Sequence, residues 1–230
     1  MSWREQAKKN AALEAVKHVR DGYVVGLGSG STAAYAVEEI GERVRKKKWQ
    51  ILGVPTSYQA FMLAVRCGIP ITTLDEHPRL DLTIDGADQI DKELNLIKGM
   101  GGALTREKIV ASAAKQFIVV ADETKLTQTL GTNQPVPVEV LPLAVSTVIQ
   151  RMCEVGGRPT LREGKAKIGP VVTDNGNFIV DVDFGPIEAP KEVNSRLKMI
   201  PGVVETGLFV EMADIVYVGK QKTVDRLERK

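Results

Sequence analysis

Cysteine is nearly absent from this chain, with Cys67 and Cys153 the only two in 230 residues. They form no C-x-x-C pair, which argues against a disulfide framework or a thiolate zinc site. Histidine is equally scarce. His18 sits in a charged helical stretch and His77 in a turn-like DEHPR segment, and each is predicted to be a surface residue. A His-rich metal centre is thereby excluded, and a Ser-His-Asp triad would have to use one of these two. No apolar run approaches the ~18 residues of a membrane span, and the first ten residues are charged and polar, without a signal-peptide core. The expectation is a cytoplasmic protein with no membrane partner. Lys and Arg total 31 against 29 acids, a net charge of +2 that gives no case for nucleic acid. If the chain is an enzyme, carboxylates and lysines must do most of its acid–base work.

What is present is an ordinary globular balance, 43% hydrophobic and 26% charged. At ~150 residues per domain the length predicts one to two domains. No internal repeat or low-complexity segment stands out. Through residue 130 the pattern alternates strand and helix. A helix is expected over 6–19, with Ala7, Ala11, Val16 and Val19 on one face. Strands follow at 23–27, 50–54, 69–74, 80–84, 94–98 and 117–121. Helices begin after Gly28-Ser29-Gly30-Ser31-Thr32, after Ser57 as a cap, and after the glycines of 99–102. Short apolar strands separated by helices predict a mostly parallel sheet covered on both faces.

Beyond Gly131 the order is strand, helix, two strands, helix, strand, the split βαβ pattern of ferredoxin-like domains. Asp174-Asn175-Gly176 is a strong turn signal inside it. Residues 215–218 read as one more buried strand returning to the first sheet. The expected architecture is α/β, a Rossmann-like domain of residues 1–130 and 208–230 carrying a smaller inserted ferredoxin-like α+β domain of 131–207.

Ligands of such sheets bind beyond the carboxyl ends of the strands, which directs attention to four loops. Gly28 to Thr32 joins a strand to a helix N-terminus, where unpaired N–H groups and the helix dipole favour an anion. It is neither a dinucleotide fingerprint, since Ser31 stands where glycine is needed, nor a Walker loop. The alternative is a tight turn whose hydroxyls serve only as caps. Asp85-Gly86-Ala87-Asp88 places two carboxylates around a glycine, suited to holding sugar hydroxyls. A local turn is the plainer reading, and a magnesium site the least supported. Lys98-Gly99-Met100-Gly101-Gly102 leads to Glu107 in the first turn of a helix. An acid there either complements the dipole or serves as a base. Lys125 adds a cation at a fourth strand end, where a solvated charge is the commoner outcome. Together these groups suit a small, anionic, hydroxyl-rich substrate undergoing proton transfer.

The strings GLGSGSTA, TIDGADQID, IKGMGGALTREKIVA and VADETK, in this order and spacing, closely resemble ribose-5-phosphate isomerases of the A type. The likeness continues through VPVEV, GGRP, VTDNGN and IPGVVETGLF and covers nearly the whole chain. It implies interconversion of D-ribose 5-phosphate and D-ribulose 5-phosphate in the non-oxidative pentose phosphate pathway, with no metal and no organic cofactor. By the same resemblance Glu107 matches the proton acceptor. Ser29, Gly30, Ser31, Thr32, Asp85, Gly86, Ala87, Asp88, Lys98, Gly99, Met100, Gly101 and Lys125 match substrate-binding segments. A homodimer or homotetramer is implied. Met100 departs from the K-G-G-G run associated with the family, harmlessly if it contributes its backbone N–H, but with a change of substrate fit if its side chain faces the sugar.

Overall fold

Ser2 opens the first helix. In the computed structural model, which describes residues 2–166 and 168–229, its hydroxyl accepts from the Glu5 N–H while Glu5 accepts from the Ser2 N–H. This capping box, worth about 1 kcal/mol, starts α1 (Trp3–Val16) three residues before the apolar pattern alone suggests. The expected inner face is confirmed, because Ala7, Ala11, Val16 and Val19 are all buried. Alanines let α1 lie close against β6 (Phe117–Asp122) and β12 (Ile215–Gly219).

The chain divides into two compact units. The first holds the chain up to Ala87, Arg106–Lys125, and everything from Met212 onward. Its six-stranded sheet adds β1 (Val24–Leu27), β2 (Leu52–Pro55), β3 (Leu82–Asp85) and β13 (Val224–Glu228), in the order β13-β12-β6-β3-β1-β2. All neighbours are parallel except the β12–β13 pair. Chain order reverses direction between β1 and β3, so the loops after these two strands flank a topological switch point, where ligands of open α/β sheets bind. Helices α2 (Ser31–Lys47), α3 (Tyr58–Arg66) and α4 (Leu104–Ser112) are the connecting helices.

The second unit comprises Asp88–Thr105 and Leu126–Glu211, so it begins earlier in the chain than the expected boundary at 131. One sheet holds β7 (Val136–Val140), β8 (Arg158–Leu161), β9 (Phe178–Asp183) and β10 (Val203–Thr206), ordered β10-β7-β9-β8. With α5 (Val145–Glu154) after β7 and α6 (Pro190–Lys198) after β9, all its pairings are antiparallel. This is the ferredoxin-like arrangement expected from the element order.

Three strand assignments need correction. Residues 69–74 form only a bridge between Ile71 and Gly53, since Pro70 brings no N–H to a ladder. The 94–98 strand leaves the parallel sheet. As β5 (Leu96–Ile97) it pairs antiparallel with β4 (Gln89–Ile90) and β11 (Leu208–Phe209) in a three-stranded sheet of the second unit. The physical reason is length, because a parallel crossover needs a dozen or more residues, whereas too few separate β3 from β5 for one. The last strand of the ferredoxin-like order, expected over VVETGLF (203–209), breaks at Gly207, where a side chain would come within 2.3 Å of the Lys98 carbonyl. Strand β13 was not anticipated. Asp225, Arg226 and Glu228 hide it in composition, and those charges suit an exposed edge.

His18 is half-buried rather than solvated, with Nε2 2.8 Å from the Tyr217 hydroxyl. Burial, reinforced by Arg226, holds the ring below its ordinary pKa of 6.5. As pH falls the unfolded chain therefore takes up this proton first, so the contribution of His18 is fully present above about 6.5 and declines below it. The Tm advantage of the native chain over His18→Gln should shrink between about pH 7.5 and 5.5 in thermal melts. A pH-independent difference would contradict this.

Candidate active site

In the first unit, the turn after β1 is built around the end of β3. Gly28 donates to the Ile84 carbonyl at 2.9 Å, and a Cβ at Gly28 would stand 2.5 Å from the Asp85 Cα. Only glycine allows this approach. The fully buried Asp85 then accepts from the Ser29 N–H at 3.0 Å and the Gly86 N–H at 2.7 Å, both through Oδ1. One carboxylate oxygen thus does what the local-turn reading expects, locking the Gly28–Thr32 loop to Asp85-Gly86-Ala87.

Gly30 stands at the N-cap of helix α2 with φ 92° and brings no side-chain cap. The hydroxyls of this loop are therefore not spent as caps of their own helix. Ser29 Oγ lies 2.7 Å from Thr56 Oγ1 and 2.5 Å from Ser57 Oγ. Ser31 is exposed and Thr32 half-buried at the first turn of α2. Lys8 of α1 extends its ammonium to within 3.1 Å of Ser31 Oγ, adding a positive charge to a helix N-terminus already disposed to anions. Lys8 escaped the sequence reading because a lysine on a charged helix carries no signal of its own. Gln59 did as well, yet its Oε1 accepts from the Gly30 N–H at 2.9 Å. Ser57 was legible as a cap, and it accepts from the Ala60 N–H.

Glu107 is not the solvated acid that a dipole-complementing role predicts, for only 5% of it is exposed. Its height along the sheet follows from two hydrogen bonds. Leu80 N–H donates to the carbonyl of Ala113, directly after α4, and Thr83 Oγ1 to the Val110 carbonyl at 3.3 Å. Helix α4 therefore runs antiparallel to β3, with Val110 level with Thr83. One turn earlier on the same face, about 4.5 Å along the axis, Glu107 comes level with the Asp85 end of the strand. Arg106 beside it stacks over the Tyr58 ring at 5.1 Å. Lys125 is half-buried in a short 3-10 turn (Glu123–Lys125) directly after β6. That turn is held by Asp122, whose Oδ1 accepts from the Thr124 N–H and hydroxyl. Lys125 too departs from the solvated reading.

The remaining expected residues belong to the second unit, so the Lys98–Gly102 loop does not follow a strand of the parallel sheet. Lys98 is 2% exposed. Its N–H donates to the Gly207 carbonyl at 2.9 Å, and its ammonium stands 5.5 Å from the Phe209 ring centroid, a cation–π arrangement. Asp88 Oδ2 accepts from the Met100 N–H at 3.0 Å. That backbone donor is therefore committed to Asp88, and the exposed Met100 side chain places its sulfur 3.9 Å from Arg162 Nη2. Gly99, with φ 103°, starts a turn closed by the Gly102 N–H. Among the described residues, no group of three or more His, Cys, Asp or Glu is placed to hold a metal ion.

Each unit thus brings anion donors, carboxylates and cations to defined loops. The family model for ribose 5-phosphate isomerase A (phosphoriboisomerase A) matches residues 52–223. The chain is 53% identical to ribose-5-phosphate isomerase A of Thermosynechococcus vestitus, over 94% of this chain and 92% of that protein. The solved ribose 5-phosphate isomerase A of Methanocaldococcus jannaschii superimposes with a TM-score of 0.94 at 48% identity, covering 97% of this chain and 99% of that one. A D-ribose-5-phosphate isomerase solved in complex with phospho-erythronic acid superimposes at 0.96, with 47% identity and full coverage of both chains. The chain belongs to the ribose 5-phosphate isomerase A family.

Proposed function

We propose that this chain interconverts D-ribose 5-phosphate and D-ribulose 5-phosphate by proton transfer through an enediolate, without metal or organic cofactor. The observation that carries the reading is Glu107, a buried carboxylate in the motif that the resemblance assigns to the proton acceptor. In the open-chain aldose, Glu107 takes the C2 proton while the electrons pass to the carbonyl oxygen. The hydroxyl proton passes from O2 to O1 of the enediolate as the same carboxyl group returns a proton to C1, leaving the carbonyl at C2. Charge that develops on the two oxygens needs fixed donors, supplied by Lys98 and the glycine-rich loop after it. Ser29 to Thr32, the uncapped start of α2 and Lys8 form the phosphate grip. Asp85 and Asp88 hold sugar hydroxyls and assist ring opening, and Lys125 completes the anionic end. A carboxylate ligand in a relative's complex suits such a site, being planar and anionic like an enediolate.

The direct test is a coupled assay of the purified protein with ribose 5-phosphate, with and without EDTA. Turnover in both is expected. No turnover by folded protein refutes the isomerase reading, and loss of activity on chelation refutes its metal-free part. The protein is further read as a cytoplasmic homodimer or homotetramer. A solution mass equal to one chain would contradict the assembly.

A further inference from the structure

Arg162, just past the end of β8, was invisible in the sequence, yet the second unit engages all three of its guanidinium nitrogens. Its side chain is 14% exposed and pairs with Asp181 of β9, itself 19% exposed. Nε reaches Asp181 Oδ2 at 2.7 Å and Nη2 reaches Oδ1, so both carboxylate oxygens are engaged in a fork. The remaining nitrogen, Nη1, donates to two consecutive carbonyls, Gly99 at 3.1 Å and Met100 at 3.0 Å.

A trans peptide points its C=O and the following N–H in opposite directions. Because the Gly99 carbonyl faces Arg162, the Met100 N–H faces away, and it is found on Asp88 Oδ2. The same rule applied one residue on sends the Gly101 N–H away from Arg162, towards the Asp88 side of the loop. Holding two successive carbonyls therefore fixes two successive peptide planes. A salt bridge serving only to join β8 to β9 would have no need of either carbonyl. The neighbouring Arg158–Asp183 pair on the same strands shows the plainer form, with side chains 76% and 49% exposed.

We propose that Arg162 is a positioning residue for the isomerisation: anchored by Asp181, it turns the Gly99–Gly101 peptides so that the Gly101 N–H stands beside Asp88 as a donor for the oxygen charge of the enediolate. This rests on the isomerase reading above. The group acts through the loop and itself touches no substrate. Lysine cannot replace it, because a single ammonium cannot hold both carboxylate oxygens and both carbonyls.

The test compares Arg162→Lys, Asp181→Asn and Arg158→Lys in the full chain. For Arg162→Lys we expect kcat to fall at least ~10-fold, a fraction of the 10²–10³ lost when such a donor is removed outright. KM for ribose 5-phosphate stays within about threefold, because the donor matters most as charge develops. Affinity for phospho-erythronic acid, whose carboxylate spreads charge as an enediolate does, falls by about the same factor as kcat. Asp181→Asn moves both readouts in the same direction by less, and Arg158→Lys leaves them unchanged. If Arg162→Lys keeps both kcat and inhibitor affinity within about twofold of the parent, the proposal is overturned. The same holds if only Tm falls while kcat per folded molecule is intact, which is the behaviour of a structural ion pair. A parent protein that binds phospho-erythronic acid but cannot turn over ribose 5-phosphate refutes the isomerase reading itself, and with it the positioning role of Arg162.

Discussion

Glu107→Gln should fold like the parent and turn over ribose 5-phosphate at least ~10²-fold more slowly, the lower end of what a positioned general base contributes. The substitution keeps shape and volume but removes the charge and the ability to take a proton. Its consequences for folding should be small because the amide fills the same space and α4 is also seated by apolar contacts and by the Thr83–Val110 hydrogen bond. A loss in kcat with little change in KM is the pattern of an interaction needed only at the transition state. Steady-state kinetics alongside a thermal melt decide the matter. A variant that keeps most of its rate moves the base elsewhere. Asp85 is then the next candidate, although its Oδ1 is already occupied by two backbone N–H groups.

Lys98→Met carries the second large effect. Lys98 is almost wholly buried, with its ammonium over the Phe209 ring. Burying an ammonium costs stability, so its retention at this position is best explained by chemistry. Methionine fills nearly the same space and removes only the charge. We expect kcat/KM to drop by roughly 10²–10³, the size of one lost preorganised donor at a developing oxyanion. Rates are compared per folded molecule, because removing the charge also takes a partner from the groups that Lys98 interacts with, which by itself lowers Tm. An unchanged kcat/KM rejects the role. A loss of Tm with the rate per folded molecule intact would make Lys98 a structural residue.

Much of the fold was legible because its determinants are local. The apolar runs of β1, β3, β6 and β12 and the glycine stops between them place a parallel sheet, and the 131–207 element order places a ferredoxin-like one. What failed depended on partners distant in sequence. Leu96–Ile97 looks like any buried strand, and only the shortness of its connection to β3 sends it into a separate antiparallel sheet. Strand β13 is polar because it sits at an edge, where composition and strand formation disagree.

Site residues divide in the same way. The glycine-rich loops and Glu107 are recognisable from motif strings, since backbone approach and helix starts leave marks in sequence. Lys8, Gln59 and Arg162 leave none, because their meaning lies in which loop they reach. Met100 shows the reverse case. Its departure from glycine is visible in sequence, but only the structure shows that its N–H is held by Asp88, and that Arg162 holds its carbonyl and that of Gly99.

In this mechanism one carboxyl group moves hydrogen between adjacent carbons of the sugar. Running the reaction in D2O and following C1 and C2 of the two sugar phosphates by NMR reads that transfer itself. The native chain should introduce deuterium at C1 of ribulose 5-phosphate and C2 of ribose 5-phosphate, because a carboxyl proton exchanges with solvent. Glu107→Gln should show exchange slowed by the same factor as its turnover. Exchange at the native rate in that variant would contradict the account.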